Sequence, residues 1–192
     1  MQNKIAIFAS GSGSNMENIY SYFSKKKTAI ITCVCTNKKN AFVVTRAKKL
    51  NIPLIIFTKY DLNSFDVLHK KLKKFQVDYI VLAGFLLKIP PIMVNKYKNC
   101  IINIHPSLLP KYGGKGMYGD NVLKTVLENK ETESGVSIHF VNKFYDKGEI
   151  ILQEKCAISE NENILTLADK IRRLEHRYFP VAIEMVLKKN IL

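Results

Sequence analysis

Asn103 and His105 stand two residues apart at the end of the run Ile101-Ile-Asn-Ile-His-Pro-Ser-Leu-Leu-Pro110. Ile101 to Ile104 read as a buried strand, and the two prolines that follow prevent a helix and fix the next segment as a loop. In an extended chain residues i and i+2 project from one face. An amide and an imidazole therefore point together at a strand's C-terminal end, where open α/β sheets hold their ligands. An amide that donates hydrogen bonds beside an imidazole able to carry a proton is equipment for stabilising an oxyanion in acyl-type transfer. The same pair has a purely architectural reading: Asn103 satisfies backbone groups at the strand end and His105 is a partly buried loop histidine.

A second constellation is Ser10-Gly-Ser-Gly-Ser-Asn15. It follows an apolar strand, Lys4 to Ala9, and precedes Met16, Ile19, Tyr20 and Phe23 at helical spacing. Gly11 and Gly13 let the backbone approach a ligand, while Ser12, Ser14 and Asn15 offer short donors at a helix N-terminus. A phosphate fits there, and so does an ordinary capped turn. A Walker lysine is missing, and Met16 stands where a dinucleotide fingerprint needs its third glycine. The loop therefore suits a monophosphate better than NAD or ATP. A third candidate is Asp146 in Asn142-Lys-Phe-Tyr-Asp-Lys-Gly148, where Asp-x-Gly is also a common turn former.

The elements that must position these groups alternate. Strands are expected at Lys4 to Ala9, Ala29 to Cys35, Leu54 to Phe57, Asp78 to Ala83 and Ile101 to Ile104. Helices are expected after the glycine loop, through Phe42, Val43, Ala47 and Leu50, and over Ser64 to Phe75. An apolar loop, Gly84 to Pro91, leads into a short helix begun by proline. This alternation means parallel βαβ units in a doubly wound sheet. After the central strand comes Lys111 to Gly119, with four glycines among residues 113–119, a lid or a long connection. A helix through Val122, Val126 and Leu127 follows. Ser134 to Val141 and Glu149 to Ile158 form an antiparallel hairpin. The last helix runs from about Asn163 to Lys188, with Leu167, Ile171, Leu174, Tyr178, Val181 and Met185 as its apolar stripe and a bend or interruption at Pro180.

With 192 residues and 47% apolar composition the chain fits a single domain, 1–192. Its apolar start is too short for a signal peptide or membrane span, which predicts a cytoplasmic protein. Cys33, Cys35, Cys100 and Cys156 lack C-x-x-C or zinc-finger spacing and read as buried thiols. The net charge of +14 comes mostly from scattered lysines without an arginine-rich arm or RNA motif, so composition leaves the partner open. Lys70, Lys71, Lys73 and Lys74 are explained by a solvated helix face.

Taken together, Gly11-Ser-Gly-Ser-Asn15, Leu82-Ala-Gly-Phe85, Asn103-Ile-His-Pro-Ser-Leu-Leu-Pro110, Ser137-Ile-His-Phe-Val141 with Asp146 and Gly148, and Glu175-His176 resemble the phosphoribosylglycinamide formyltransferase family over nearly the whole chain. The resemblance implies a formyltransferase fold with a phosphate-binding half, about 1–100, and a folate-binding and catalytic half, about 101–192. It implies formyl transfer from 10-formyltetrahydrofolate to the amine of 5-phosphoribosylglycinamide in purine synthesis. Catalysis would rest on Asn103, His105 and Asp146, whose carboxylate would keep His105 charged. Ser12, Gly13, Ser14 and Asn15 would hold the phosphate, and Arg172 and Glu175 the ribosylglycinamide. The folate would lie on Leu86, Leu87, Lys88, Ile89, Asn103, Asn142, Lys143, Phe144, Tyr145 and Asp146. The same resemblance implies small-molecule partners only, no metal, nucleotide cofactor, nucleic acid or membrane, and a monomer or homodimer.

Three departures from the family pattern stand out. No arginine within Asp61 to Lys71 corresponds to the one some relatives use for the folate glutamate, which leaves the tail to lysines. The Gly113 to Gly119 loop is longer and richer in glycine than in many members, and Lys147 stands where glycine is common. A 10-formyltetrahydrofolate hydrolase or methionyl-tRNA formyltransferase would share the central run but carry an extra domain for which 192 residues leave no room. A basic nucleic-acid-binding module is the non-enzymatic alternative, marked by a steep salt dependence.

Overall fold

A computed structural model describes residues 2–189. In chain order its elements are β1 (Asn3–Phe8), α1 (Ser14–Lys26), β2 (Ala29–Thr36), α2 (Phe42–Lys49), β3 (Leu54–Ile56), α3 (Lys59–Ser64), α4 (Asp66–Lys74), β4 (Tyr79–Leu82), α5 (Pro91–Lys96), β5 (Ile101–His105), α6 (Asp120–Glu128), β6 (Glu133–Phe140), β7 (Ile150–Ala157) and α7 (Ile164–Lys189). The strands form one sheet in the order β3-β2-β1-β4-β5-β6-β7. β1 pairs in parallel with β2 and β4, β2 with β3, and β6 pairs antiparallel with β7. The chain divides into two compact units between Ile102 and Asn103, inside β5.

In the first unit the chain is apolar at every position from Ile5 in β1 to Ala9 just beyond it, and fully buried on both faces. That is the pattern of a central strand covered by helices on either side. The strand order reverses here, since β2 lies on one flank of β1 and β4 on the other. At such a switch point the loops leaving the two strands diverge and open a crevice. Ser10, at the end of β1, joins these loops. Its N–H donates to the Gly84 carbonyl at 3.0 Å. Its Oγ accepts from the Leu86 N–H at 3.1 Å and donates to Asn37 Oδ1 at 2.7 Å.

The expected helix over Ser64 to Phe75 is α4, and an additional short helix, α3, precedes it, with Phe65 between them in the left-handed region at φ 62°. α3 begins earlier than the apolar spacing suggests because Thr58 and Asp61 form a reciprocal capping box. The lysines of α4 do lie opposite buried Leu68 and Leu72. Cys33 and Cys35 are buried, whereas Cys100 and Cys156 are only half-buried; all four are free. Burial pushes the Cys35 thiol well up, aided by its neighbour Cys33.

In the second unit α7 packs on α6, β6 and β7. Asn163 caps it, accepting from Leu165 and Thr166 N–H groups at 2.9 and 3.1 Å. α7 runs without interruption through buried Pro180, where burial of Phe179, Ala182, Ile183 and Val186 offsets the missing N–H. The expected stripe also rotates. The core row is Leu167, Ile171, Phe179, Ile183 and Leu187, while Leu174, Tyr178 and Val181 are half-buried and Met185 is 41% exposed. Apart from Glu175 both rows are apolar in sequence, so helical spacing alone does not choose between them. Ile183→Ala should therefore destabilise the protein by about 2–5 kcal/mol. Met185→Ala should change stability by about 1 kcal/mol or less. Chemical denaturation of the two variants checks the difference.

Candidate active site

In the second unit β5 presents Asn103, half-buried, and His105, 4% exposed, two residues apart on one face. The loop after β6 brings Asp146 to them. His105 Nε2 lies 2.7 Å from the Tyr112 carbonyl oxygen. A carbonyl only accepts, so Nε2 carries a hydrogen, and Nδ1 is left facing Asp146 Oδ2 at 3.8 Å. The Gly114 N–H donates to that same Oδ2 at 2.8 Å, and Oδ1 lies 3.7 Å from His139 Nε2. Asp146 takes φ 49°, a left-handed conformation that Asp and Asn tolerate better than most residues. Lys147 is not left-handed, so a glycine at its position is unnecessary in this turn.

His139 completes the cluster and was not among the residues expected from sequence. Its Nδ1 lies 2.8 Å from the Phe140 carbonyl oxygen, so Nδ1 donates. Burial lowers the His139 pKa, and nearby His105 adds to this, against the raising effects of the Phe140 carbonyl and Asp146. A neutral ring protonated at Nδ1 must accept at Nε2. Asn103 Nδ2 donates there at 3.1 Å. His139 thus fixes the Asn103 amide and leaves its second N–H for a developing oxyanion. The signal in the sequence was the two-residue spacing from Ser137 to His139, which places both on one face of β6.

Ser137 holds the loop after β5. Its Oγ donates to the Ser107 carbonyl at 2.6 Å and accepts from the Leu109 N–H at 2.9 Å and Gln153 Nε2 at 2.8 Å. One donor and two acceptor sites are all a hydroxyl has. Gln153 also donates to the Leu109 carbonyl at 2.9 Å, and Ser107 Oγ to that of Lys111 at 2.8 Å. Tyr112, whose carbonyl meets His105, is anchored by its hydroxyl on Glu131 at 2.8 Å. The first part of the glycine-rich loop after Pro110 is therefore tied down at Tyr112 and Gly114, while Lys115, Gly116 and Tyr118 are exposed.

In the first unit the glycine loop wraps the start of α1. Gly13 is left-handed at φ 78°, and a Cβ there would lie 2.6 Å from Val43 Cγ2, so glycine is required on both counts. The Gly11 carbonyl accepts from the Val43 N–H and the Ser12 carbonyl from Arg46 Nε, each at 3.1 Å. In a trans peptide the C=O and the following N–H point opposite ways. The N–H groups of Ser12 and Gly13 therefore turn away from α2. The Gly13 carbonyl accepts the first helical bond, from Glu17 N–H at 3.0 Å, so the Ser14 N–H points out of the helix start. Successive free amides at a positive helix end suit an anion.

The remaining expected residues lie as follows. Beside the glycine loop, Leu86 and Lys88 are exposed, Leu87 half-buried and Ile89 buried. On the β6–β7 turn, Asn142 accepts from the Phe144 N–H at 2.9 Å and donates to the Lys147 carbonyl at 2.8 Å, leaving Lys143, Phe144 and Tyr145 exposed. On α7, Arg172 pairs with Asp169 one turn earlier and Glu175 is half-buried on the core row. Among the described residues no group of three or more His, Cys, Asp or Glu is arranged to hold a metal ion, and no helix is long and apolar enough to cross a membrane.

A doubly wound sheet that carries an amide, two imidazoles and a carboxylate at the end of an inner strand has the form of a group-transfer site. The sequence model of the formyl transferase family matches residues 3–183, and the chain belongs to that family. A phosphoribosylglycinamide formyltransferase of Haemophilus influenzae is 35% identical over 186 residues, 94% of this chain and 85% of that protein. A chloroplastic phosphoribosylglycinamide formyltransferase of Vigna unguiculata is 35% identical over 100% of this chain, which spans 63% of the plant protein's length. The crystal structure of phosphoribosylglycinamide formyltransferase from Bacillus halodurans matches with a TM-score of 0.87 at 33% identity, covering 98% of this chain and 97% of that one.

The depressed pKa of His139 has a consequence for stability. The folded state binds its proton less readily than the unfolded state, so His139 contributes stability above about pH 6.5 that is lost as pH falls through the folded value. Unfolding free energy should therefore decline on acidification below about 6.5. The decline should be shallower in His139→Gln, as measured by denaturation at a series of pH values.

Proposed function

We propose that the chain transfers the formyl group of 10-formyltetrahydrofolate to the amine of 5-phosphoribosylglycinamide. The observation that carries this reading is the Asn103–His105–Asp146 cluster, with Asp146 Oδ2 at 3.8 Å from His105 Nδ1. A glycinamide amine titrates near about 8, so a useful fraction is a free nucleophile at neutral pH. Its nitrogen attacks the formyl carbon, and the carbonyl oxygen becomes an oxyanion. The free N–H of Asn103 donates to it, and the His105 ring, held between Tyr112 and Asp146, lies on the same face of β5. As the bond from carbon to the folate nitrogen breaks, that nitrogen gains the electron pair and a proton, and the attacking nitrogen loses one. Asp146, beside His105, relays the proton through water.

The phosphate rests on Ser12, Gly13, Ser14 and Asn15, and Arg172 and Glu175 meet the ribosylglycinamide. For Arg172 this requires release from Asp169, to which it is ion-paired. Leu86 to Ile89, and separately Asn142 to Asp146, contact the folate. Each loop offers backbone polar groups and exposed apolar surface, at Leu86 on one and at Phe144 and Tyr145 on the other, which suits a flat heterocycle. The reaction uses two small molecules, requires neither a metal nor a nucleotide cofactor, and belongs in the cytoplasm.

The test is formyl transfer to phosphoribosylglycinamide followed by folate absorbance, with water as the competing acceptor. Turnover dependent on the amine supports the reading; equal release with and without it identifies a hydrolase. Asn103→Ala and His105→Ala should each lose about a hundredfold or more in turnover. Asp146→Asn keeps the left-handed turn but removes the charge, so turnover should fall by roughly two to four powers of ten with an unchanged melting temperature.

A further inference from the structure

The glycine loop does not hold its shape alone. Val43 and Arg46, on consecutive turns of α2, each take one of its carbonyls. Arg46 is itself oriented on two sides. Its Nη1 pairs with Glu17 in the first turn of α1, and its guanidinium lies over the Phe42 ring at 5.0 Å. One planar group thus joins the loop's backbone to the helix that the loop opens. Its Nε hydrogen bond to Ser12 turns the Gly13 N–H away from α2, towards the side where an anion would sit.

We propose that Arg46 is a positioning residue for the phosphate loop, fixing the direction of its amides through the Ser12 carbonyl without touching the ligand. The proposal rests on the assignment of Ser12 to Asn15 as the phosphate site. Without Arg46 the Ser12 carbonyl loses its partner, and the Ser12–Gly13 peptide, with glycine's wide backbone range, is held less firmly, by the Val43 contact and the bond from Glu17 alone. The loop must then be ordered when the substrate binds, which weakens affinity for the phosphorylated substrate and leaves chemistry at the formyl carbon unchanged.

Two mechanisms predict a loss on removing Arg46: positioning, and simple attraction of its positive charge for phosphate. Glu17 separates them by sign. Glu17→Gln removes a negative charge from the start of α1, which on charge alone favours an anion. In the positioning account it weakens binding instead, because Arg46 loses the partner that orients it. Lysine at 46 keeps the charge but lacks the planar fork that serves Ser12 and Glu17 together.

The experiment measures kcat and both Michaelis constants for the wild type, Arg46→Met, Arg46→Lys and Glu17→Gln, beside a wild-type comparison of phosphorylated and dephosphorylated ribosylglycinamide. Arg46→Met should raise KM for the phosphorylated substrate about tenfold, the worth of a hydrogen bond from a charged donor. Its kcat and folate KM should stay within about twofold. Glu17→Gln should raise the same KM by about two- to fivefold, and Arg46→Lys should fall short of the wild type. A lower KM in Glu17→Gln, or full recovery in Arg46→Lys, overturns positioning in favour of charge. An unchanged KM in Arg46→Met, where the wild type discriminates by phosphate, overturns any role for Arg46. A wild type indifferent to the phosphate removes the phosphate site itself. If Arg46→Met does not fold, the sign of the Glu17→Gln effect decides.

Discussion

The arrangement around β5 depends on one carboxylate that faces two imidazoles. Asp146 lies within 4 Å of both His105 and His139, and if both rings were charged its field would be divided between them. Both rings are buried, and their hydrogen bonds break the symmetry. His139 is 2% exposed, with its Nδ1 hydrogen committed to a backbone carbonyl and its Nε2 receiving Asn103. Charging it would require a second hydrogen on Nε2, where a donor already points. His139 therefore stays neutral and Asp146 is left to His105. The same neutral ring sets the direction of the Asn103 amide. The placement of the carboxylate and of the amide thus follows from one tautomer.

Much of the positioning in both units runs through main-chain carbonyls. Tyr112 receives His105, Phe140 receives His139, and Ser12 receives Arg46. Such contacts fix a ring or a peptide without adding another ionisable group beside it, which keeps the local charge pattern simple. They also transfer the burden to whatever holds the backbone. In the second unit that is the saturated Ser137 hydroxyl with Gln153; in the first it is the packing of Val43 on Gly13.

These indirect contacts explain what the sequence revealed and what it concealed. The doubly wound order was legible because Ile5 to Ala9, Ile101 to Ile104 and the intervening helices carry clear periodicities, and β6 and β7 flank a short turn. Asn103 and His105 announced themselves by their spacing, and Asp146 by its place before Gly148. His139 was harder, since a histidine inside an apolar strand looks like core until its partners across the fold are known. Arg46 carries no motif in the sequence, and its contacts with a carbonyl 34 residues earlier and with Glu17 distinguish it. Phe65 shows the opposite failure. Its apolar spacing joined it to α4, while the capping pair Thr58 and Asp61 had already marked the start of a separate helix. In α7 two adjacent apolar rows made the buried face ambiguous, and packing selected the row that passes Glu175.

The most direct test of this account is nitrogen-15 NMR of the histidine side chains in the wild-type protein at neutral pH, with assignments from single-histidine variants. His139 should appear as a neutral ring bearing its hydrogen on Nδ1, with Nε2 unprotonated and accepting from Asn103. A charged His139, or a neutral ring protonated at Nε2, would contradict it: Asn103 would then lack its acceptor, and the carboxylate of Asp146 would no longer be reserved for His105.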